Sequence, residues 1–481
     1  MRGLRRQVMG ECVMKKMDKR LLVGVVPTRR EAFENETTTR QKEEVMKRFR
    51  QLSKELDFDM VDIEDINEEG LLMTYRDVKA AYAKLSAAGV DALIFPHCNF
   101  GQEEAVGRLA KDMGVPVLIW GPRDGWPNGL EWRPTDAQCG MFATTKLLMH
   151  YGVKYSYIEN CETDSDILKE GLADFLAAAN VVKAFRALRI ARISTRPKEF
   201  LSVMVNEAEL LEKYDIELVP GEPTVILDRV ERILNNDGKR MEELLQDLVD
   251  AGLNIDALGK KRYPLAAIEL ALMDFAADHD CSAISCECWN LFRKKYGISP
   301  CFILGDLNDR GIPAACENDV HAAITSVMAV AAARYRTPSF VADLTIRHPE
   351  NDNAELLWHC GSFAKRLKKK GADGYIVEAG KGFYELEGGD VTILRFDGLD
   401  GEYYMFAGEA KGVEGPVTNG SYLWVEVDDW VKWEKKFMFG PYIHHVVGIH
   451  GRYAEIIREA CRYLGIHFDC ADLPNRYGKQ E

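Results

Sequence analysis

Leu21-Leu-Val-Gly-Val-Val26 is a short apolar run between Arg20 and Pro27, and it decides the fold. A run that is apolar on both faces is typical of a buried parallel strand. Asp91–Pro96 and Pro116–Trp120 repeat the pattern, and helical spacing fills the stretches between and after them. These helices are predicted near residues 37–56, 75–88, 102–113 and 135–151. The alternation predicts a doubly wound α/β domain over residues 19–153.

The same alternation continues through residues 154–336 and predicts a second α/β domain. Its predicted strands are Tyr155–Ile158, Leu188–Ile193 and Cys281–Cys286. Helices are predicted near residues 164–186, 203–213, 238–252 and 264–278. An alanine-rich helix after Glu317 is expected to close this domain.

Short β-rich runs separated by Gly and Asp follow from residue 337. This spacing predicts a barrel-like C-terminal domain over residues 337–481, with a last helix at 453–464. The predicted fold class is therefore α/β, with two doubly wound domains followed by a β-rich barrel-like domain.

Bulk properties narrow the possible partners. A chain of 481 residues should form about three domains. The net charge of −14 argues against nucleic acid, although a local basic pocket could still bind an anionic substrate. Residues 1–18, predicted to be an N-terminal tail, lack a signal-peptide pattern, and no later run could span a membrane. These features predict a cytoplasmic protein.

The twelve cysteines are spread through apolar segments, which indicates buried free thiols. Cys286-Glu-Cys288 has no second pair at zinc-finger spacing, so it does not by itself predict structural zinc.

The candidate chemistry lies in Ile312–Val320, Phe340–Asp343 and Ile443–Val446. Glu317 and Asp343 are each predicted to follow an apolar strand, where ligands of open α/β sheets bind. Two carboxylates and the His445 imidazole can hold a hard divalent ion and leave sites open for substrate oxygens. Singly, Glu317 could stabilise a helix N-terminus, Asp343 could be a turn residue and His445 a core residue.

Other side chains could join this site. His359 also lies in an apolar run. Alternation along a strand would send the His444 and His445 rings to opposite faces, so only one could face the carboxylates. Trp289 and Trp358 could stack on a sugar or simply pack in the core.

Taken together, these motifs resemble the L-fucose/L-arabinose isomerase superfamily over residues 20–475. The similarity is strongest at residues 286–289, 316–319, 340–343, 357–361 and 444–447. The resemblance implies two α/β domains with a barrel-like third domain. It also implies Mn²⁺, possibly replaced by Co²⁺ or Mg²⁺, and interconversion of an aldose with a ketose.

The resemblance assigns roles residue by residue. Glu317 and Asp343 would be metal ligands and the acid/base pair, and His445 would be the imidazole ligand. His359 matches a ligand of the arabinose branch, whereas Ala342 before Asp343 places the chain nearer the fucose branch. Relatives often have Gln at the position of Glu287, which makes this residue a candidate substrate contact.

The resemblance also implies a homo-oligomer, a trimer or hexamer in which the first domain covers a neighbour's metal site. Arg29, in the polar segment after the first predicted strand, is a further candidate substrate contact. Solvated turns are the alternative explanation for such loops.

The function predicted from these features is Mn²⁺-dependent isomerisation of a small-molecule sugar through a cis-enediol. Two alternatives remain open. One is a metal-dependent isomerase, epimerase or lyase acting on an acidic or sulfonated sugar, and the other is a non-catalytic sugar-binding protein.

Overall fold

A computed structural model describes residues 20–33, 35–127, 129, 133–377 and 379–474. The predicted tail, residues 1–18, lies outside these residues. Within them, one compact unit runs to Lys183 and includes Arg462–Leu464, and the other comprises Ala184–Cys461 and continues from Gly465. Among the described helices, we find none with the length and apolarity needed to cross a bilayer.

The N-terminal unit contains a parallel sheet of five strands in the order β2-β1-β3-β4-β5. The strands are β1 (Leu22–Val25), β2 (Asp59–Val61), β3 (Ala92–Pro96), β4 (Val117–Trp120) and β5 (Ser156–Tyr157). The helices are α1 (Asn35–Glu55), α2 (Tyr75–Ala88), α3 (Glu103–Met113), α4 (Ala137–His150) and α5 (Asp166–Phe185). Buried apolar clusters on the sheet explain the two-sided apolar runs in the sequence.

Two details differ from the prediction for this region. Strand β5, predicted as Tyr155–Ile158 for the second domain, pairs with β4 of the first sheet. The compact unit accordingly extends to Lys183, past the boundary predicted at residue 153. Strand β2 was not predicted, because it is short and only partly buried and so lacks an apolar run.

The larger unit begins with a second parallel sheet in the order β7-β6-β8-β9. Its strands are β6 (Arg189–Ile193), β7 (Glu217–Gly221), β8 (Ala283–Cys286) and β9 (Ala314–Ala315). Its helices are α6 (Glu207–Tyr214), α7 (Pro223–Asn236), α8 (Gly238–Asp250), α9 (Arg262–Asp278), α10 (Leu291–Tyr296), α11 (Cys301–Asp309) and α12 (Val320–Ala332). The predicted second α/β domain is confirmed as a fold.

Helix α12 is buried along its whole length. It contacts β8 and β9 of the parallel sheet on one side and β10, β14 and β17 of the C-terminal sheet on the other. A helix that is apolar all round must be enclosed in this way. Its alanines and valines therefore reflect contact with two layers.

The C-terminal sheet closes into a barrel. The barrel strands are β10 (Ser339–His348), β11 (Asn351–His359), β14 (Asp390–Leu399), β15 (Glu402–Val413), β16 (Ser421–Glu426) and β17 (His445–His450). They follow the order β16-β11-β10-β17-β14-β15, and β15 pairs again with β16. Short strands β12 (Tyr375–Ile376), β13 (Gly382–Glu385) and β18 (His467–Asp469) extend the sheet, and helices α13 (Trp430–Phe439) and α14 (Ala454–Leu464) complete the region. Closure confirms the predicted barrel and removes open edges.

Gly448 tests the packing between β10 and β17. It lies opposite Phe340, and a Cβ on Gly448 would meet the Phe340 ring at 2.2 Å. We expect Gly448→Ala to lower the free energy of unfolding by about 1–3 kcal/mol, because Phe340 must leave its place. Denaturant unfolding measures this. Gly238→Ala is the control, since its Cβ would meet open space and should cost nothing; equal losses in both variants would contradict the packing argument.

Candidate active site

Glu317 lies in a strained turn between β9 and α12. Glu317 and Asn318 both have left-handed backbone angles, with φ of 58° and 59°. Such angles are uncommon for residues other than glycine and require support from neighbouring structure. The Asn318 side-chain amide supplies it by donating to the carbonyl oxygens of Ile193 and Ser194 at 2.9 and 3.1 Å. The turn thus holds Glu317 at the carboxyl end of the parallel sheet.

Asp343 is positioned by strand register. It lies inside β10 and pairs with His445 on β17 and with Trp358 on β11. The prediction that Asp343 ends its strand is therefore wrong. The strand extends to His348 because the barrel continues its hydrogen-bond ladder beyond the apolar run. The pairing places Asp343 directly across from His445.

The predicted site residues converge in space. His445 Nε2 lies 3.2 Å from Glu317 Oε2 and 3.3 Å from Asp343 Oδ1. His359 Nε2 lies 4.0 Å from the same Asp343 oxygen. Asp343, His359 and His445 each offer one ligand atom, and these three atoms all lie within 4.8 Å of one another. Residues from three strands and one turn thus form a single cluster.

The donor set of this cluster fits a divalent cation. Asp343 Oδ1 is buried and has no hydrogen-bond partner, although buried polar atoms normally have one. Carboxylate oxygens beside imidazole nitrogens are ligands that suit Mn²⁺ and similar ions. The unused acceptor capacity of this oxygen and the mixed donor set therefore fit a divalent cation.

Asp319 fixes the orientation of His445, a role that no pattern in the sequence indicates. Its Oδ2 accepts from His445 Nδ1 at 2.9 Å and from Arg395 Nη1 at 2.6 Å, and its Oδ1 caps α12 through Ala322 N. With Nδ1 engaged, the His445 Nε2 atom faces Glu317 and Asp343. A carboxylate behind a ligand histidine commonly sets tautomer and basicity in metal sites.

Arg395 extends this support away from the site. It is fully buried, and its Nε and Nη2 atoms donate to Asp397 Oδ2 at 2.9 and 2.7 Å. Asp397 Oδ1 in turn contacts His321 Nδ1 at 2.9 Å. An arginine inside the apolar run of β14 was the available sequence signal, because a buried charge requires partners.

The titratable groups show an excess of negative charge at the site. Burial alone would lower the pKa of His445, but hydrogen bonds to Asp319 and Glu317 outweigh it and raise the value to about 9. For His359, burial is outweighed chiefly by the charge of Asp343, which raises the pKa to about 10. Burial would raise the pKa of Glu317, yet His445 keeps it below its usual value. Both imidazoles therefore carry a proton that a cation would displace.

His444 does not face away from Asp343, as alternation along a strand had predicted. It precedes β17 and is half-exposed, yet its Nε2 lies 3.9 Å from Asp343 Oδ1. Its ring stacks on Phe200 with centroids 5.6 Å apart, and Phe200 also contacts the His445 ring edge-on at 5.1 Å. Strict alternation fails because His444 lies outside the strand. Both histidines therefore approach Asp343.

The two predicted tryptophans line the same cavity. Trp289 is 41% exposed, donates from Nε1 to Glu317 Oε1 at 2.8 Å and stacks near Phe200. Trp358 is stacked on His359 and donates to the Asn419 carbonyl. An exposed indole face beside Glu317 is available to a sugar, so Trp289 is not a simple core residue.

Glu287 and Arg29 have partners within the protein. The Glu287 carboxylate accepts backbone N–H groups of Trp289, Asn290 and Leu291 at 2.8–3.2 Å, so it shapes the turn that carries Trp289. Arg29 is buried in the N-terminal unit and pairs with Glu69 at 2.8 Å. Their contact with substrate stays a prediction, as does the oligomeric state.

A cavity of about 1570 Å³ opens above the cluster. Its lining includes three residues of the cluster, Glu317, Asp343 and His359, and both tryptophans, Trp289 and Trp358. The lining as a whole is basic, with seven cationic residues and four acidic ones. The cationic residues are Arg192, Arg196, Lys198, Arg293, Lys294, Lys295 and Lys381. The cavity therefore favours an anionic ligand, although the chain as a whole has a negative net charge.

Comparison with known proteins agrees with this geometry. The fucose/sulfoquinovose isomerase N-terminal domain family matches residues 24–186, nearly the whole N-terminal unit. A sulfoquinovose isomerase of Alkalicoccus urumqiensis is 24% identical over 360 residues, which cover 71% of this chain and 77% of that protein. One of Priestia aryabhattai is 23% identical over 419 residues, 83% and 90% of the two chains. Both comparisons therefore support the resemblance to the fucose isomerase-like superfamily.

These relatives support the predicted aldose–ketose isomerase of the fucose isomerase type. A solved structure, an ABC transporter periplasmic solute binding protein of Actinobacillus succinogenes 130z with bound D-allose, also aligns. It covers 61% of this chain and 83% of its own at 14% identity, with a TM-score of 0.16. A TM-score this low does not indicate a shared fold.

Arg395 provides a test of the support behind the site. We expect Arg395→Met to lower the free energy of unfolding by about 3–5 kcal/mol, because Asp319 and Asp397 would be left buried without their cation. Chemical denaturation measures the loss. Arg452→Met is the matched control, since Arg452 is exposed and 3.7 Å from Asp390, and it should cost less than about 1 kcal/mol. A comparable loss in both variants would contradict the buried network.

Proposed function

We propose that the protein is a divalent-metal-dependent isomerase that converts an anionic aldose into its ketose through a cis-enediol. The observation that carries the proposal is the cross-strand pair Asp343 and His445, with Glu317 on the other side of the same imidazole nitrogen. The Glu317 and Asp343 carboxylates both lie beside His445 Nε2, so they could move a proton between two adjacent carbons of one bound sugar.

Glu317, Asp343 and His445 would hold the ion, with His359 close enough to be a fourth ligand. Mn²⁺ suits this mixed oxygen and nitrogen set, and Co²⁺ or Mg²⁺ would substitute. When bound, the ion would act as a Lewis acid toward the sugar oxygens.

The side chains of the cluster would perform the proton transfers. Glu317 is held ionised by His445, so it can accept the proton from C2. Asp343 faces the same space and can serve the adjacent carbon or its oxygen. Each positioned acid or base typically contributes about 10²–10⁴-fold. Trp289 holds Glu317 through its indole N–H and offers the sugar an apolar face.

The proposed substrate carries an anionic group such as a sulfonate. Arg293, Lys294 and Lys381 line the cavity, and within the described residues their side chains form no ion pair. Guanidinium and ammonium groups bind such oxyanions by charge-assisted hydrogen bonds. Relatives named sulfoquinovose isomerase support a sulfonated hexose over an uncharged deoxy sugar.

A substrate panel tests the reaction and the two carboxylates together. Purified protein with Mn²⁺ is mixed with sulfoquinovose, glucose 6-phosphate, L-fucose and L-arabinose, and the products are identified by NMR in D₂O. We expect ketose from the sulfonated sugar, with deuterium incorporated at the carbon that gains the proton. Glu317→Gln and Asp343→Asn should each reduce turnover at least about 100-fold while the fold is retained.

Each contrary result of the panel has a distinct meaning. Carbon–carbon cleavage or an epimer would favour a lyase or epimerase, and binding without any product would favour a sugar-binding protein. Ketose formation at full rate in either variant would remove that carboxylate from the acid/base pair.

Metal binding should release protons. In the metal-free protein the raised pKa values keep His445 and His359 protonated at pH 7, below about 9 and about 10. Apparent Mn²⁺ affinity should therefore rise with pH, by about tenfold per unit for each proton displaced. Calorimetry in two buffers of different ionisation enthalpy counts these protons at pH 7.

Two variants control this measurement. His359→Ala should release one proton fewer, whereas His348→Ala, whose ring packs against Trp424, should match the parent protein. Binding of Mn²⁺ without proton release would contradict the assignment of these imidazoles as ligands.

A further inference from the structure

The Phe200 side chain contacts three rings of the candidate active site. It is stacked on His444, with centroids 5.6 Å apart and planes 9° from parallel, and on Trp289, with centroids 6.4 Å apart and planes 18° from parallel. It also meets the His445 ring edge-on at 5.1 Å. These separations are those of favourable aromatic pairs. One side chain from the segment after β6 thus joins residues from the turn after β8 and from the start of β17.

We propose that Phe200 is a positioning residue, which fixes the ring planes of Trp289 and His444 and through them the surroundings of Glu317 and Asp343. The inference rests on the proposed function, in which these two carboxylates transfer the proton. Phe200 itself does not need to touch the sugar, since it acts through its neighbours.

The contact with Trp289 acts on Glu317. The Trp289 indole N–H donates to Glu317 Oε1 at 2.8 Å, so the direction of that bond follows the plane of the indole. Glu287 holds the backbone of the turn that carries Trp289, but a backbone contact leaves the ring free to rotate. Because Phe200 is stacked on the indole, it restricts this rotation and keeps the N–H directed at Glu317.

The contact with His444 acts on Asp343. The His444 side chain is half-exposed, and its Nε2 lies 3.9 Å from Asp343 Oδ1. Phe200 is stacked on this ring, and the neighbouring His445 ring meets it edge-on at 4.9 Å. A half-exposed imidazole without the stacked ring could turn toward solvent, which would change the environment of the Asp343 carboxylate. One aromatic side chain therefore supports both halves of the acid/base pair.

Ordinary core packing explains Phe200 less well. The side chain is only half-buried, and the neighbouring Leu201 and Met204 are 57% and 59% exposed. The segment is thus a surface turn, with the Phe200 N–H donating to the Pro197 carbonyl at 3.1 Å. A large aromatic side chain on such a turn that contacts three residues of the site is better explained by their alignment.

Steady-state kinetics of the full-length protein with Mn²⁺ and sulfoquinovose test the proposal. Phe200→Leu keeps an apolar side chain but removes the flat ring. We expect kcat to fall by about 10–100-fold and KM to change by less than about threefold, because misplaced catalytic groups slow the reaction step more than they weaken substrate binding. Phe200→Tyr keeps the ring and should retain kcat within about threefold.

Acrylamide quenching of tryptophan fluorescence follows the Trp289 ring without any turnover. The contribution of Trp289 is the difference between each protein and the same protein with Trp289→Phe. We expect this contribution to be quenched more strongly in Phe200→Leu, because the indole loses the ring that covers it. Phe437→Leu is the matched control. Phe437 is also half-buried among aromatic rings, and it does not line the cavity.

The outcomes separate the role of Phe200 from the reaction itself. Parental kcat in Phe200→Leu would overturn the proposal, and so would a loss that Phe200→Tyr does not restore while circular dichroism shows both variants folded. An equal loss of kcat in Phe437→Leu would indicate a general effect of removing an aromatic ring and would also overturn it. If the parent protein forms no ketose, the proposed function fails, and the quenching difference then decides alone whether Phe200 holds Trp289.

Discussion

The carboxylate of Asp319 joins the packing of the larger unit to its chemistry. One oxygen caps helix α12, and the other receives both the Arg395 guanidinium and His445 Nδ1. Its burial would be unfavourable without these partners. Because α12 lies between the parallel sheet and the barrel, the cap connects the position of His445 to the layers that enclose the helix. Loss of Asp319 would therefore affect both stability and the imidazole.

Much of the fold was predictable because its strands are buried on both faces. Apolar runs identified β1, β3 and β4, and helical periodicity gave α2 as Tyr75–Ala88 without error. Elements that lack such runs escaped prediction. Strand β7 has exposed residues at Glu217 and Pro220, so it lacks a continuous apolar run, and its Pro-Gly end is more typical of a turn than of a strand.

The site was predictable in its residues but not in its connections. Glu317, Asp343 and His445 carry chemistry that stands out in apolar segments, and they do converge. Asp319 and Arg395 are 76 positions apart and meet only because β14 packs against α12. Patterns along a single sequence report local periodicity, so a hydrogen bond between distant segments leaves no mark on them.

The basic cavity shows why net charge alone is a poor guide to a substrate. The chain has a net charge of −14, yet cationic side chains from three separate segments line the cavity. These segments are residues 192–198, 293–295 and 381. Charges beyond about 8 Å are largely screened at physiological ionic strength, so the field felt by a ligand is set by the nearest side chains. Under the proposed function, the carboxylates of the cavity would hold the metal ion and act on the reacting carbons. The cationic side chains would bind an anionic group farther along the sugar, which would orient the chain of carbons toward Glu317 and Asp343.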